Sequence, residues 1–126
     1  MAMNQTIYVI DDDASARGGI VRYLRTAGYV VNAFESLEAL AAWNDPVEGG
    51  CLVMDVCMPG RSLEELQGEL AEDVLRLPMI FVTANRDTKT RARAKALKAS
   101  AFFYKPVDGP ALVDAIEWST QTKMEG

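Results

Sequence analysis

The sequence predicts an α/β protein built as a (βα)5 doubly wound, five-stranded parallel sheet. Two observations predict it. Short apolar, β-branched or aromatic runs recur along the chain, and helix-length stretches separate them. Strands that alternate with helical stretches bury both faces of a parallel sheet under helices. The predicted strands are Ile7–Ile10, Tyr29–Phe34, Leu52–Met54, Met79–Val82 and Ala101–Tyr104. The predicted helices are Ala14–Thr26, Leu37–Asn44, Leu63–Leu75, Thr88–Lys98 and Ala111–Thr120.

Local signals support each boundary. Gly28 follows the first helix at a position suited to a left-handed cap. Ser36 precedes the second helix and can accept a bond from its open amides. In "VDGP", Asp108 is the cap candidate and Pro110 falls in the first turn of the last helix. There Leu112, Ala115, Ile116 and Ser119 form a narrow inward stripe, and Trp118 lies off it. Repeats, low-complexity tracts and interdomain linkers are absent from the sequence. One domain, residues 1–126 with a core at about 6–120, is expected, with no output domain in this chain.

Composition narrows the function. The 126 residues suit one domain with one proper core. Hydrophobic residues at 49% and charged ones at 25% fit a folded globule and argue against disorder. A net charge of -5 argues against direct nucleic-acid contact by this domain. No apolar run approaches the roughly 18 residues of a membrane span. "MAMNQT" has neither a basic n-region nor an apolar h-region, so no signal peptide is expected, and a cytoplasmic location is. Cys51 and Cys57 flank a strand, which would hold their Cα atoms roughly 20 Å apart. A disulfide tolerates about 7 Å, so two free thiols in a reducing compartment are expected.

The chain has no histidine. That removes Ser-His-Asp and Cys-His catalysis and the H-E-x-x-H zinc site. Chemistry must rest on carboxylates, lysine, hydroxyls and a hard metal ion. In an open doubly wound sheet, ligands bind outside the carboxyl ends of the strands. Strand 1 ends in Asp11-Asp12-Asp13, strand 3 in Asp55, strand 4 in Thr83-Ala84 and strand 5 in Lys105-Pro106. One fold rule therefore gathers several acids, a hydroxyl and an ammonium into one cleft. Converging carboxylates must share a proton or a cation. With oxygen ligands only, Mg²⁺ is the natural cation. A carboxylate can also attack phosphorus, the metal offsetting charge, the lysine and hydroxyl gripping phosphoryl oxygens.

These residues carry a family resemblance. The motifs "VIDDD", "VMDVCMPG", "FVTAN" and "FFYKPVD", in order and at family spacing, resemble a response-regulator receiver domain of two-component signalling. The likeness covers about residues 6 to 120, and is nearest to receivers that usually precede a LuxR-type helix-turn-helix module. It implies a flavodoxin-like receiver fold with strand order 2-1-3-4-5. It implies Asp55 as phospho-acceptor, Asp12 as direct Mg²⁺ ligand and Asp11 as ligand through water. Cys57 would contribute its backbone carbonyl to the metal. Thr83 and Lys105 would grip the phosphoryl group, with Thr83 and Phe102 as switch residues and Cys57 and Asn85 tuning rates. Asp13 has no metal role and suits a helix cap. The implied partners are a histidine kinase or phosphotransfer protein, with a phosphorylation-dependent homodimer and no membrane. Phosphorylation would switch the helix 4–strand 5–helix 5 face to control transcription through an output domain.

The sequence also departs from the family pattern. The family reads M-P-x-M-[SD]-G-x-E-L after the acceptor, whereas "MPGRSLEEL" puts Arg61 for Met and Leu63 for Gly. Near the end of helix 4, Lys98 replaces a Gly. A β-carbon at a left-handed position costs roughly 1 kcal/mol or more. An altered loop after strand 3, with Gly60 taking over the turn, and a different end to helix 4 are therefore expected. The basic run Arg91, Arg93, Lys95 and Lys98 is expected to form a solvated face, since surface ion pairs contribute about 0–1 kcal/mol each.

Two other functions compete. A phosphatase of the haloacid-dehalogenase kind needs a second acid two positions after its nucleophile, where Cys57 stands. A degenerate receiver acting as a phosphorylation-independent binding module is kept open by Arg61 and Leu63, and opposed by Asp12, Asp55, Thr83 and Lys105. The expectation is a signalling acceptor, not a turnover enzyme.

Overall fold

A computed structural model describes residues 5–43, 49–56, 65 and 72–125. In chain order its elements are β1 (Thr6–Ile10), α1 (Ala14–Thr26), β2 (Val30–Phe34), α2 (Leu37–Ala41) and β3 (Gly50–Asp55). Then come α3 (Glu72–Leu75), β4 (Met79–Thr83), α4 (Thr88–Ala96), β5 (Ala101–Tyr104) and α5 (Gly109–Glu125). The strands form one sheet in the order β2-β1-β3-β4-β5, every pair parallel. The (βα)5 alternation and the 2-1-3-4-5 order are those expected.

Strand composition explains the layers. Successive side chains point to opposite faces, and a parallel sheet covered on both sides needs apolar residues on both. Tyr8, Ile10, Leu52, Met54 and Phe81 face one way and pack with Leu37 and Leu40 of α2 and Val74 of α3. Ile7, Val9, Val53, Ile80 and Val82 face the other way, against Ile20 and Leu24 of α1 and Leu112 and Ile116 of α5. Each such side chain stabilises the fold by about 1.5–3 kcal/mol on full burial. The stripe predicted for α5 is the one buried, with Ala115 half-buried, while Trp118 stays 58% exposed.

Caps fix the helix ends. Asp13 starts α1, its Oδ1 accepting from the amides of Ser15 at 3.0 Å and Ala16 at 3.3 Å. Ser36 caps α2 by accepting from Ala39 at 3.0 Å. α1 ends at Gly28 (φ 103), where Gly28 N–H bonds Arg25 O and Tyr29 N–H bonds Leu24 O. Committing Tyr29 to that cap is why β2 begins one residue later than predicted.

Several predicted features need correction. α2 stops at Ala41 rather than Asn44, because Trp43 leaves the helix to stack edge-on against Tyr8 (5.6 Å) and Phe34 (5.5 Å). α4 stops at Ala96, but its end is not a new one. Lys98 itself adopts φ 63 while its N–H bonds Lys95 O and the Ala99 N–H bonds Ala94 O. That is the two-bond glycine-type cap with lysine at its left-handed position. α5 begins at Gly109, earlier than predicted, and continues to Glu125. Of the predicted third helix, Glu65 and Glu72–Leu75 are helical. The loop with Gly60, Arg61 and Leu63 lies outside the described residues, as does Cys57.

Candidate functional site

The sheet's register builds the site. Ile10 pairs with Met54, Asp55 with Val82, and Thr83 with Tyr104, so the carboxyl ends of four strands finish together. Asp11, Asp55, Thr83 and Lys105 are the residues at or just past those ends.

Asp11 is fully buried and held on all sides. Its N–H donates to Phe34 O at 3.1 Å, and its carbonyl accepts from Arg17 Nη1 at 2.7 Å. Its Oδ1 accepts from Asp13 N–H at 2.9 Å, and its Oδ2 lies 2.7 Å from Lys105 Nζ. Asp55, 6% exposed, has its Oδ2 2.8 Å from the same ammonium. Asp12 stands exposed at the mouth. One carboxylate oxygen from each of Asp11, Asp12 and Asp55 lies within 4.8 Å of the others. An oxygen-only donor set of that size, partly buried, fits a hard cation such as Mg²⁺. Burial pulls the Lys105 pKa down, but hydrogen bonding and charge from Asp11 and Asp55 outweigh it, and the net shift is upward. The lysine therefore stays an ammonium at neutral pH.

Thr83 is completely buried, its Oγ1 accepting from Asn85 N–H at 3.0 Å. Its carbonyl accepts from Lys105 N–H at 2.8 Å, which ties the ends of β4 and β5 together. Phe102 is half-buried on the α2–α3 side of the sheet and meets Tyr104 edge-on at 5.3 Å. Phe103 packs on the opposite face, as strand alternation requires. The structure thus brings Lys105 against Asp11 and Asp55, with an Asp12 oxygen within 4.8 Å of both carboxylates and Thr83 and Asn85 at the end of the adjoining strand. It sets Phe102 back from them along β5.

Three arginines were not legible as site residues. Arg17 anchors the carbonyl of Asp11. Arg86 lies over the Tyr104 ring, 4.3 Å from its centroid, a cation–π contact linking the β4–α4 loop to the aromatic pair. Arg93 is not part of a solvated face: its Nη1 donates to the Val56 carbonyl at 2.6 Å. Their sequence neighbourhoods give no sign of these contacts, which the fold creates.

A doubly wound sheet with an acidic, lysine-bridged cleft at its carboxyl edge defines an α/β domain whose cleft has the donor set for a hard cation. The comparisons narrow this. Residues 7–117 match the family described as the response regulator receiver domain, and the chain belongs to that family. Nodulation protein W of Bradyrhizobium diazoefficiens is 34% identical over 115 residues, covering 91% of this chain and 51% of that protein. Transcriptional regulatory protein FixJ of Azorhizobium caulinodans is 34% identical over 113 residues, covering 90% and 54%. The chain spans about half the length of these curated relatives. Among solved structures, the crystal structure of FixJ-N superposes with a TM-score of 0.81 at 28% identity, covering 95% of this chain and 96% of that one. Receiver domains are modules of two-component signalling and bind Mg²⁺ through an acidic pocket, here Asp11, Asp12 and Asp55. Among the described residues, no helix is long and apolar enough to cross a membrane.

Proposed function

We propose that this chain is a phospho-accepting switch in which Asp55 receives a phosphoryl group from a histidine kinase or phosphotransfer protein. The observation that carries the reading is Asp55 itself. Its carboxylate is nearly buried, gripped by Lys105 at 2.8 Å, and grouped with two further carboxylates within 4.8 Å. An Asp55 oxygen forms a bond to phosphorus as the phosphorus–nitrogen bond of a phosphohistidine breaks. The leaving imidazole nitrogen keeps the electron pair and takes a proton from water. Lys105 holds the acceptor carboxylate and then pairs with phosphoryl oxygen. The Thr83 hydroxyl, which accepts from Asn85 N–H, turns its own O–H to donate to a phosphoryl oxygen. Asp11, Asp12 and Asp55, with the Cys57 carbonyl, outside the described residues, as a further ligand, would hold Mg²⁺, which would offset the negative charge of the cleft.

A donor acting in trans fits the absence of histidine from this chain. A groove of about 600 Å³ beside Lys105 runs between α1 and the loop after β5, past Ala16, Gly19 and Tyr23. Ala16 and Gly19 leave a partner helix room there to bring a phosphohistidine to the cleft. Phe102, Tyr104 and Arg86 report the acceptor's state on the α4–β5–α5 face, which supports a phosphorylation-dependent homodimer. The domain acts in the cytoplasm, where such kinases deliver phosphoryl groups, and controls transcription through an output module like those of its regulator relatives. It is not a turnover enzyme. Incubation with acetyl phosphate and Mg²⁺, followed by measurement of inorganic phosphate, tests this. Uptake of one phosphoryl group per chain with slow release is expected. Rapid release over many turnovers would favour a hydrolase, and no uptake would favour a plain binding module.

A further inference from the structure

α4 is poorly equipped to hold its own seat. Its nine residues, TKTRARAKA, include no Leu, Ile, Val, Met or aromatic side chain, and only Thr90 and Ala94 are buried. A helix without an apolar stripe is weakly located on a sheet. Leu97, just past its end, packs against the sheet as one anchor. Arg93 supplies another of a different kind. Its half-buried guanidinium donates from Nη1 to the Val56 carbonyl at 2.6 Å, across 37 positions of sequence. A hydrogen bond with a charged donor at that length is roughly twice as strong as a neutral one.

The acceptor of that bond matters. Val56 is buried and directly follows Asp55. Its N–H donates to Val82 O at 3.1 Å, so one side of the residue is fixed by the β3–β4 ladder. Its carbonyl side is fixed by Arg93. The first residue after the acceptor is therefore tied to β4 through its N–H and to α4 through its carbonyl. A rearrangement at Asp55 that displaces Val56 moves the oxygen that Arg93 holds.

We infer that Arg93 is a positioning residue that sets the seat of α4 according to the state of Asp55, by gripping the carbonyl beside it. The inference rests on Asp55 being the acceptor and adds the physical link from that carboxylate to α4. Thermodynamic linkage makes the coupling reciprocal: if loading Asp55 moves α4, loosening α4 changes ligand affinity at Asp55.

Hydrogen exchange of the α4 amides, read by mass spectrometry with and without Mg²⁺ and beryllofluoride, tests it in wild type, Arg93→Met and Arg93→Lys. Methionine keeps an apolar stem and removes charge and donors; lysine keeps one charged donor. In wild type, loading should change α4 exchange. In Arg93→Met, exchange without ligand should rise about tenfold, as expected for loss of a charged hydrogen bond, and loading should no longer change it. Arg93→Lys should keep part of the loading response, which a purely structural role would not restore. If Arg93→Met keeps a wild-type loading response, the inference is overturned. If that variant does not fold, the same comparison in Arg93→Gln decides. Fluorine NMR of bound fluoride, with Asp55→Asn as control, separates the two readings. Wild type that binds no beryllofluoride overturns the acceptor reading. Wild type that binds it with α4 unchanged overturns only the role of Arg93.

Discussion

The Lys105 ammonium lies 2.8 Å from Asp55 Oδ2 and shares itself with Asp11 Oδ2 at 2.7 Å. One cation thus bridges two nearly buried carboxylates from β1 and β3. Removing one member of such a buried set leaves the others without compensation, at about 3–5 kcal/mol. Lys105→Met should destabilise the domain by about 3 kcal/mol in chemical denaturation without metal. Added Mg²⁺ should restore part of the loss, because the unpaired carboxylates of Asp11 and Asp55 then have another cation. An unchanged denaturation midpoint would mean that the bridge contributes nothing.

The same bridge predicts an alkaline limit. The folded-state pKa of Lys105 lies above its ordinary value of 10.5. Its contribution to stability is therefore complete below about pH 10.5 and fades as pH rises through the raised folded value. Wild type should lose more stability than Lys105→Met across that alkaline window. Parallel losses in the two proteins would contradict the linkage.

Asp12 and Asp13 are neighbours with separable tasks. Asp13 caps α1 through Ser15 and Ala16, while Asp12 is exposed beside Asp11 and Asp55. Asp13→Ala should cost about 1 kcal/mol in thermal unfolding and leave phosphorylation intact. Asp12→Ala should keep the fold and lose Mg²⁺ binding, measured by titration calorimetry, together with phosphorylation. The reverse pattern would show that the tasks are misassigned.

Lys98 holds a left-handed conformation, φ 63, that a glycine adopts without penalty. Lys98→Gly should stabilise the domain by about 0.5–1 kcal/mol, since relief of the β-carbon clash exceeds the entropy that glycine adds to the unfolded chain. Guanidinium denaturation measures this; a loss of stability would show the left-handed turn to be unstrained.

Cys51 is buried in the sheet, and burial pushes its thiol pKa up to about 12. It should resist alkylation at pH 8 in the folded protein and react after unfolding. Peptide mapping of iodoacetamide adducts reads this directly. Labelling of Cys51 in the native state would mean that β3 opens.

The sequence showed the sheet well because its strands are buried on both faces, and continuous apolar runs such as "IYVI" and "MIFVT" have few other uses. Asp11, Asp12, Asp55, Thr83 and Lys105 could be gathered on paper because each stands at a strand's carboxyl end, where the fold rule places ligands. What failed to show depended on distant partners. Trp43 continues a helical pattern in sequence and breaks it in space for Tyr8 and Phe34. Arg93 is one of several basic residues on a polar helix, and only the packing of α4 beside β3 singles it out. Lys98 departs from the family's glycine, yet hydrogen bonds to Lys95 and Ala94 hold the same turn.

The central claim is that Asp55 accepts a phosphoryl group. The most direct measurement is intact-mass spectrometry of wild type and Asp55→Asn after incubation with acetyl phosphate and Mg²⁺. A single phosphoryl adduct in wild type and none in Asp55→Asn is expected. No adduct in wild type, or an equal adduct in both proteins, would contradict it.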